Sequence, residues 1–410
     1  MLVSFSAENF MAFSTGKSLC MRPDKDIRTK DAGVFHLDSV SILKSCCIYG
    51  PNNSGKSCLI HAMECIRDLI LNHVNERYMH PSKGTDCSVI RFKVEICNEQ
   101  QEAYEYCVKY DTESKSFVHE SLIEIDESIE ERYDSRREKE IFIRDLEKDI
   151  CRSKDGGEEV LELMKAAPSG QLLIHSLRDH LDVYTDALED FARSVDIVDM
   201  NTITLEKTTR ALKYGTPLKE RILQIIRQAQ LYINDYAYVP EEGDDCCAVR
   251  SALQEVTPED YGRLYSYYDG IAYRSIECDS AGTLKAVALA GYIADAYDNG
   301  RILFIDDLDG LYFRLAQAMV GLFSSDGNEC LSQLVFTTHN FTILDFKDLF
   351  RRDQIMFMDR YYGCILWMKT GGMGEAIRSM TNTMKKIEEY NYTAPACPGF
   401  YDFVGNVPDD

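Results

Sequence analysis

Residues 50–57 read G-P-N-N-S-G-K-S, the G-x-x-x-x-G-K-[ST] pattern of a phosphate-binding loop. Each residue type has a chemical reason to stand where it does. Gly50 and Gly55 let the backbone curl until successive N–H groups converge on one anion. Lys56 carries a mobile positive charge suited to β- and γ-phosphates, and the Ser57 hydroxyl suits Mg²⁺. Upstream, Cys46-Cys47-Ile48-Tyr49 is a short apolar run of strand type. Downstream, Cys58 to Ile66 has apolar residues at helical spacing. Strand, glycine loop and helix in that order aim a helix N-terminus at a phosphate. The candidate nucleotide-binding surface is therefore Gly50, Pro51, Asn52, Asn53, Ser54, Gly55, Lys56, Ser57 and Cys58.

A chain of 410 residues is long enough for two or three folding units. Its net charge of −23 argues against a surface that coats nucleic acid, which would be basic. A local basic groove, or one supplied by a partner, stays open. The 15 cysteines form no C-x-x-C, and the two adjacent pairs, Cys46-Cys47 and Cys246-Cys247, fit neither a zinc ribbon nor a disulfide framework. Cys47, Cys65, Cys97 and Cys107 read as small buried hydrophobes in a reducing cytosol. No zinc is expected. The first residues alternate like a strand, without the basic and apolar regions of a signal peptide. No apolar run reaches the 18 or so residues of a membrane span. A cytoplasmic protein without membrane attachment is expected.

Leu2 to Phe13 reads as a strand and a polar turn, and Leu19 to Asp38 as a loop or irregular hairpin. The helix after the glycine loop is expected to run to about Val74. Three alternating runs, Ser88 to Cys97, Ala103 to Tyr110 and Ser116 to Ile125, are joined by short polar connections and predict an antiparallel meander. Residues 1–125 form the first expected unit. Charge density then rises, and Glu158 to Ala167, Leu172 to Phe191 and Leu205 to Gln230 read as helices. Residues 126–230 are thus expected to be a mostly helical insertion, its charge run a solvated face. Residues 231–410 form the third unit, with strand patterns at Leu231 to Val239 and Ile271 to Ile276 and a tyrosine-rich stretch at Tyr261 to Tyr268.

Three motifs in that last unit bear on the loop. Arg301 to Asp307 is a hydrophobic strand ending in two acids, the form of the Mg²⁺-side strand of a P-loop ATPase. Asp306 would hold Mg²⁺, directly or through water, opposite Ser57. Asp307 stands where a general base or a water-orienting carboxylate is needed. Thr337-Thr338-His339-Asn340 follows the apolar run Gln333 to Phe336 and would bring His339 near a γ-phosphate. Asp279-Ser280-Ala281-Gly282-Thr283 opens a helix expected over Leu284 to Ala296, offering hydroxyls and free N–H groups to an anion. An ordinary N-cap uses the same residues, so Ser280, Gly282 and Thr283 gain meaning only from their place before the acidic strand.

The order of these motifs resembles an ATP-binding-cassette-type ATPase head. More narrowly, it is similar to the AAA-type ATPases of the OLD-like superfamily of bacterial abortive-infection and phage-defence loci. The residues that carry the resemblance are L-V-S-F-S-A-E-N-F-M-A-F at the N-terminus, I-Y-G-P-N-N-S-G-K-S, D-S-A-G-T, Q-L-V-F-T-T-H-N, and R-R-D-Q-I-M-F at Arg351 to Phe357. The resemblance implies an α/β P-loop head with a mixed central sheet and an antiparallel β-subdomain. It implies ATP and Mg²⁺ as ligands. It further implies a head-to-tail homodimer or higher oligomer, in which Ser280, Gly282 and Thr283 of one copy complete the site of Lys56, Ser57, Asp306 and His339 in another. A sensor or regulator acting with a separate effector, a nuclease or toxin, would follow.

The chain departs from the family at Asp307, where Glu is usual, and at Tyr312, where His is common. The ending, Tyr401 to Pro408, matches only loosely. With the chain ending at Asp410, the acidic nuclease domain of full OLD proteins is not expected. Two other functions fit the same motifs: a DNA-repair or chromosome-maintenance ATPase that clamps nucleic acid, and a weakly hydrolytic nucleotide-binding scaffold that sequesters a partner.

Overall fold

A computed structural model describes residues 1–24, 33–38, 40–126, 137–155, 157–213, 217–228, 231, 233–239, 263–310, 313–340, 350–361 and 364–369. Tyr312, Cys246-Cys247 and the 401–408 stretch lie outside them. The chain opens with β1 (Leu2–Glu8), β2 (Lys17–Cys20), β3 (Val34–His36) and β4 (Ser41–Leu43). The loop strand β5 (Ser45–Tyr49) and helix α1 (Lys56–Ile70) follow. Next come β6 (Val89–Cys97), β7 (Ala103–Asp111), β8 (Ser116–Asp126), β9 (Arg137–Asp145) and β10 (Ile150–Ser153). Helices α2 (Gly157–Ala166), α3 (Leu173–Ser176) and α4 (Asp182–Ser194) lead to β11 (Val195–Asp199). After α5 (Glu206–Lys213) and α6 (Pro217–Gln228) stand β12 (Asp235–Val239), β13 (Arg263–Tyr268), β14 (Ile271–Arg274) and α7 (Ser275–Cys278). The remainder is α8 (Ala281–Asp298), β15 (Ile302–Asp306), α9 (Phe313–Ser324), β16 (Gln333–Thr338), β17 (Ile355–Tyr361) and β18 (Cys364–Lys369).

Two sheets dominate. One is antiparallel with seven strands in the order β10-β9-β8-β7-β6-β1-β2. The other has six strands in the order β11-β15-β16-β5-β17-β18. Its first five strands pair in parallel, and only β18 runs against its neighbour. The chain is therefore an α/β fold with a mixed central sheet and an antiparallel sheet. β12, β13 and β14 form a separate three-stranded sheet.

The central strands read as unbroken hydrophobic runs because both of their faces are covered. Successive side chains alternate between two cores. Ile302 and Phe304 of β15, Val335 of β16, and Cys46 and Ile48 of β5 join one core, with α1 and the antiparallel sheet. Leu303 and Ile305, Leu334 and Phe336, and Cys47 join the other, with α5, α6, α8 and α9. This sandwiching fixes the ends of β5, β15 and β16 side by side.

Three sequence expectations meet corrections, and one strand was not foreseen. Helix α1 stops at Ile70, short of Val74, because Asn72 takes a left-handed φ of 63° and donates its N–H to Leu69. Described residues of 126–230 hold more helix than strand, but the charged start of that segment is β9 and β10, which extend the meander. Its charges pair across strands, Glu124 facing Lys139 with 3.3 Å between the charged groups, rather than along a helix face. The expected helix over Leu172 to Phe191 divides into α3 and α4. β11, which the sequence reading did not assign, joins the central sheet beside β15.

Candidate active site

The glycine loop begins where β5 ends. Gly50 donates its N–H to the Thr338 carbonyl of neighbouring β16, at 3.2 Å. A Cβ on Gly50 would lie 2.0 Å from the Met358 carbonyl oxygen, so only glycine lets the loop pass β17 this closely. Gly55 takes φ 100° and serves as N-cap of α1, and no side chain caps that helix. Asn53 is left-handed too, at φ 63°. Pro51, Asn52, Asn53 and Ser57 are exposed, Cys58 is half-buried, and the Ser54 hydroxyl is buried with no hydrogen-bond partner. An uncapped helix start behind a left-handed turn fits an anion.

Lys56 is buried and ties the loop together, its ammonium donating to the carbonyls of Gly50 at 2.7 Å and Pro51 at 2.9 Å. Burial lowers its pKa, while the carboxylates of Asp309, Asp306 and Asp307 act to raise it. One lysine thus lies in the field of three acids at and just after the end of β15.

Those acids are held differently. Asp306 is buried and accepts a 2.6 Å hydrogen bond from the Thr337 hydroxyl of β16. Asp307 turns the chain with a left-handed φ of 59°, a conformation costing a non-glycine residue about 1 kcal/mol or more. Its N–H donates to the same Thr337 hydroxyl oxygen at 2.9 Å, and its carboxylate accepts from the Asn201 amide at 3.2 Å. Asn201 arrives on the turn after β11, where the Met200 N–H also donates to the Asp306 carbonyl. Asp309 binds the end of β16 and lies 2.6 Å from His339 Nδ1. Ser57 and Asp306 supply the hard oxygen donors that Mg²⁺ takes, so the residues fit such an ion. A ring nitrogen of His339 and carboxylate oxygens of Asp307 and Asp309 lie within 4.8 Å of one another.

Of the residues singled out in the sequence, Lys56, Asp306, Asp307 and His339 thus meet at one edge of three adjacent strands. Ser280, Gly282 and Thr283 do not join them through any described hydrogen bond or ion pair. Ser280 caps α8, its hydroxyl accepting from the Thr283 N–H at 3.1 Å. Gly282 is exposed, and among the described residues a Cβ there would meet nothing nearer than the Ser280 hydroxyl at 3.8 Å. Three residues of the site escaped the sequence reading as to role: Asn201, Thr337 and Asp309. Only the D-D-L-D spacing after β15 hinted at the last.

Residues 46–345 match the family model described as "AAA domain, putative AbiEii toxin, Type IV TA system". The chain belongs to this AAA-domain family. Among solved structures, the AAA domain is similar to the SMC head domain from Thermotoga maritima, at 12% identity and a TM-score of 0.43, over 90% of this chain and 98% of that one. It is also similar to the recombination mediator protein RecF-ATP of the RecFOR pathway, at 13% identity and a TM-score of 0.38, over 90% of this chain and 97% of that one. No curated protein matches the AAA domain's sequence. No helix among its described residues is long and apolar enough to cross a membrane.

Proposed function

We propose that this AAA domain binds ATP with Mg²⁺ and hydrolyses it as an ABC-type head, in a head-to-tail pair of identical chains. The reading rests on one observation above the rest: a buried loop lysine in the electrostatic field of the acids at and just after the end of β15, the hydrophobic strand one place beyond β16 from the loop strand. Lys56 and the loop N–H groups would hold the β- and γ-phosphates, and Ser57 and Asp306 would hold Mg²⁺, which supplies charge neutralisation at the phosphates. Asp307 would orient the attacking water, with His339 beside the γ-phosphate. Asp307 is one methylene shorter than the usual glutamate, which favours slow turnover.

Ser280, Gly282 and Thr283 of a second copy would complete the site. Gly282 supports this: it is exposed, and nothing among the described residues of its own chain requires a glycine there. Contacts to the γ-phosphate available only in the closed pair would make the nucleotide a switch between open and closed states. We further propose that the switch senses or regulates a separate effector in anti-phage defence, in keeping with the OLD-like motifs and the toxin–antitoxin wording of the family description. Residues 126–230 are the candidate partner-contacting segment.

Steady-state ATP turnover of the wild type, Lys56→Ala and Asp307→Ala tests the catalytic assignment. Both substitutions should abolish turnover, and unchanged turnover in both would sink the assignment. Tight ATP binding with background turnover, indifferent to Asp307→Ala, would instead identify a nucleotide-binding scaffold.

A further inference from the structure

We infer that Asp309 is a positioning residue that fixes the tautomer and direction of the His339 imidazole beside Asp307. The inference rests on the proposed ATPase reading for its consequence, but its geometry stands within the single chain. Asp309 Oδ1 accepts from the Thr338 hydroxyl at 2.5 Å, the His339 N–H at 3.0 Å and the Asn340 N–H at 2.9 Å. Oδ2 also accepts from the His339 N–H, at 2.9 Å, and sits 2.6 Å from His339 Nδ1. One side chain from the turn after β15 thus holds three consecutive residues at the end of β16.

A carboxylate has about four lone-pair sites and no proton to give. Asp309 meets four donor groups, so its capacity is filled. The proton of the 2.6 Å contact must then be carried by Nδ1, which leaves Nε2 as the lone-pair nitrogen of the neutral ring. The Asp309 side chain is 9% exposed and that of His339 47%. The anchored edge of the ring is therefore enclosed, and the rest faces open space. The cluster of Asp307, Asp309 and His339 is compact enough for a divalent cation. Asp309 has no lone pair left for one, so a positioning role fits its contacts better.

A simple backbone cap would be served equally well by asparagine. The Nδ1 contact would not. In Asp309→Asn the side-chain oxygen can still accept from the three groups at Oδ1. The amide NH₂ then replaces Oδ2, where it gives up the second, shared contact with the His339 N–H, repels Nδ1–H and favours the other tautomer.

Nitrogen-15 NMR of histidine-labelled protein, at a pH where the ring is neutral, reads this directly. The wild type should show His339 as the Nδ1–H tautomer, and Asp309→Asn should shift it toward Nε2–H. Turnover should fall about tenfold or more, in the range for loss of an orienting partner, with ATP affinity unchanged. In the His339→Gln background, adding Asp309→Asn should change turnover no further. An Nε2–H tautomer in the wild type overturns the inference, as does unchanged turnover in Asp309→Asn or additive loss in the double variant. If Asp309→Asn does not fold, the wild-type tautomer alone decides. Should the wild type show no turnover, the ATPase reading fails while the tautomer still tests the geometry.

Discussion

Substituting Gly282 separates a residue that serves its own chain from one that serves another. Gly282 is the second residue of α8, behind the Ser280 cap. Among the described residues an added Cβ meets only the Ser280 hydroxyl, at an ordinary contact distance of 3.8 Å, and the backbone is not left-handed. Within one chain, Gly282→Ala should therefore stabilise by about 0.5 kcal/mol, through helix propensity and a less disordered unfolded state. In a chain of this size that raises the melting temperature by about one degree. In the proposed pair, the same methyl stands where the neighbour's nucleotide approaches. Overpacking there costs about 1–3 kcal/mol, about five- to 150-fold in turnover. Calorimetry, steady-state ATP hydrolysis and sedimentation with ATP would measure the three quantities. Higher stability with lost turnover and lost ATP-dependent pairing is the expected pattern. Unchanged turnover would refute the shared site, and a stability loss above about 1 kcal/mol would mean that Gly282 serves its own chain.

Gly50→Ala should behave oppositely, because its Cβ would lie 2.0 Å from a backbone oxygen of Met358 that cannot swing aside. Destabilisation of about 3 kcal/mol is expected by denaturant unfolding, and a loss under about 1 kcal/mol would show that the loop passes β17 less closely. Glu120 should give stability a specific pH dependence. It is fully buried among the N–H groups of Leu173 and Ile174 and the Tyr106 hydroxyl, and burial raises its pKa from 4.5 to about 7. A folded-state pKa above the unfolded one means that its contribution is fully present below pH 4.5 and lost as pH rises through about 7. Relative to Glu120→Gln, the wild type should lose about 3 kcal/mol across that window. A difference that stays flat with pH would contradict this.

The glycine loop, the acidic strand and the meander were legible because their chemistry or periodicity dictates residue types: glycines where the backbone must curl, unbroken apolar runs where two cores meet, alternation where one face is solvated. β9 was not legible, since Lys139 and Glu124 look like helix-surface charges until the strand opposite is known. β11 spans only Val195–Asp199 and follows α4 without a turn signal. Asp309 is one of three acids within four residues, and no spacing rule says which one meets the end of β16. For Ser280 the ambiguity is chemical, because capping α8 and binding an anion use the same hydroxyl.

β11 also sets a limit on how the chain can be dissected. It lies in register with β15, Asp199 opposite Asp306, and Asn201 follows at the Asp307 carboxylate. Residues 126–230 are therefore not detachable. An excision that replaced them with a short linker would strip a border strand from the central sheet and leave Asp307 without its amide neighbour. The smallest portion able to keep this acidic corner intact must retain the segment that, by charge alone, looks most like an appendage.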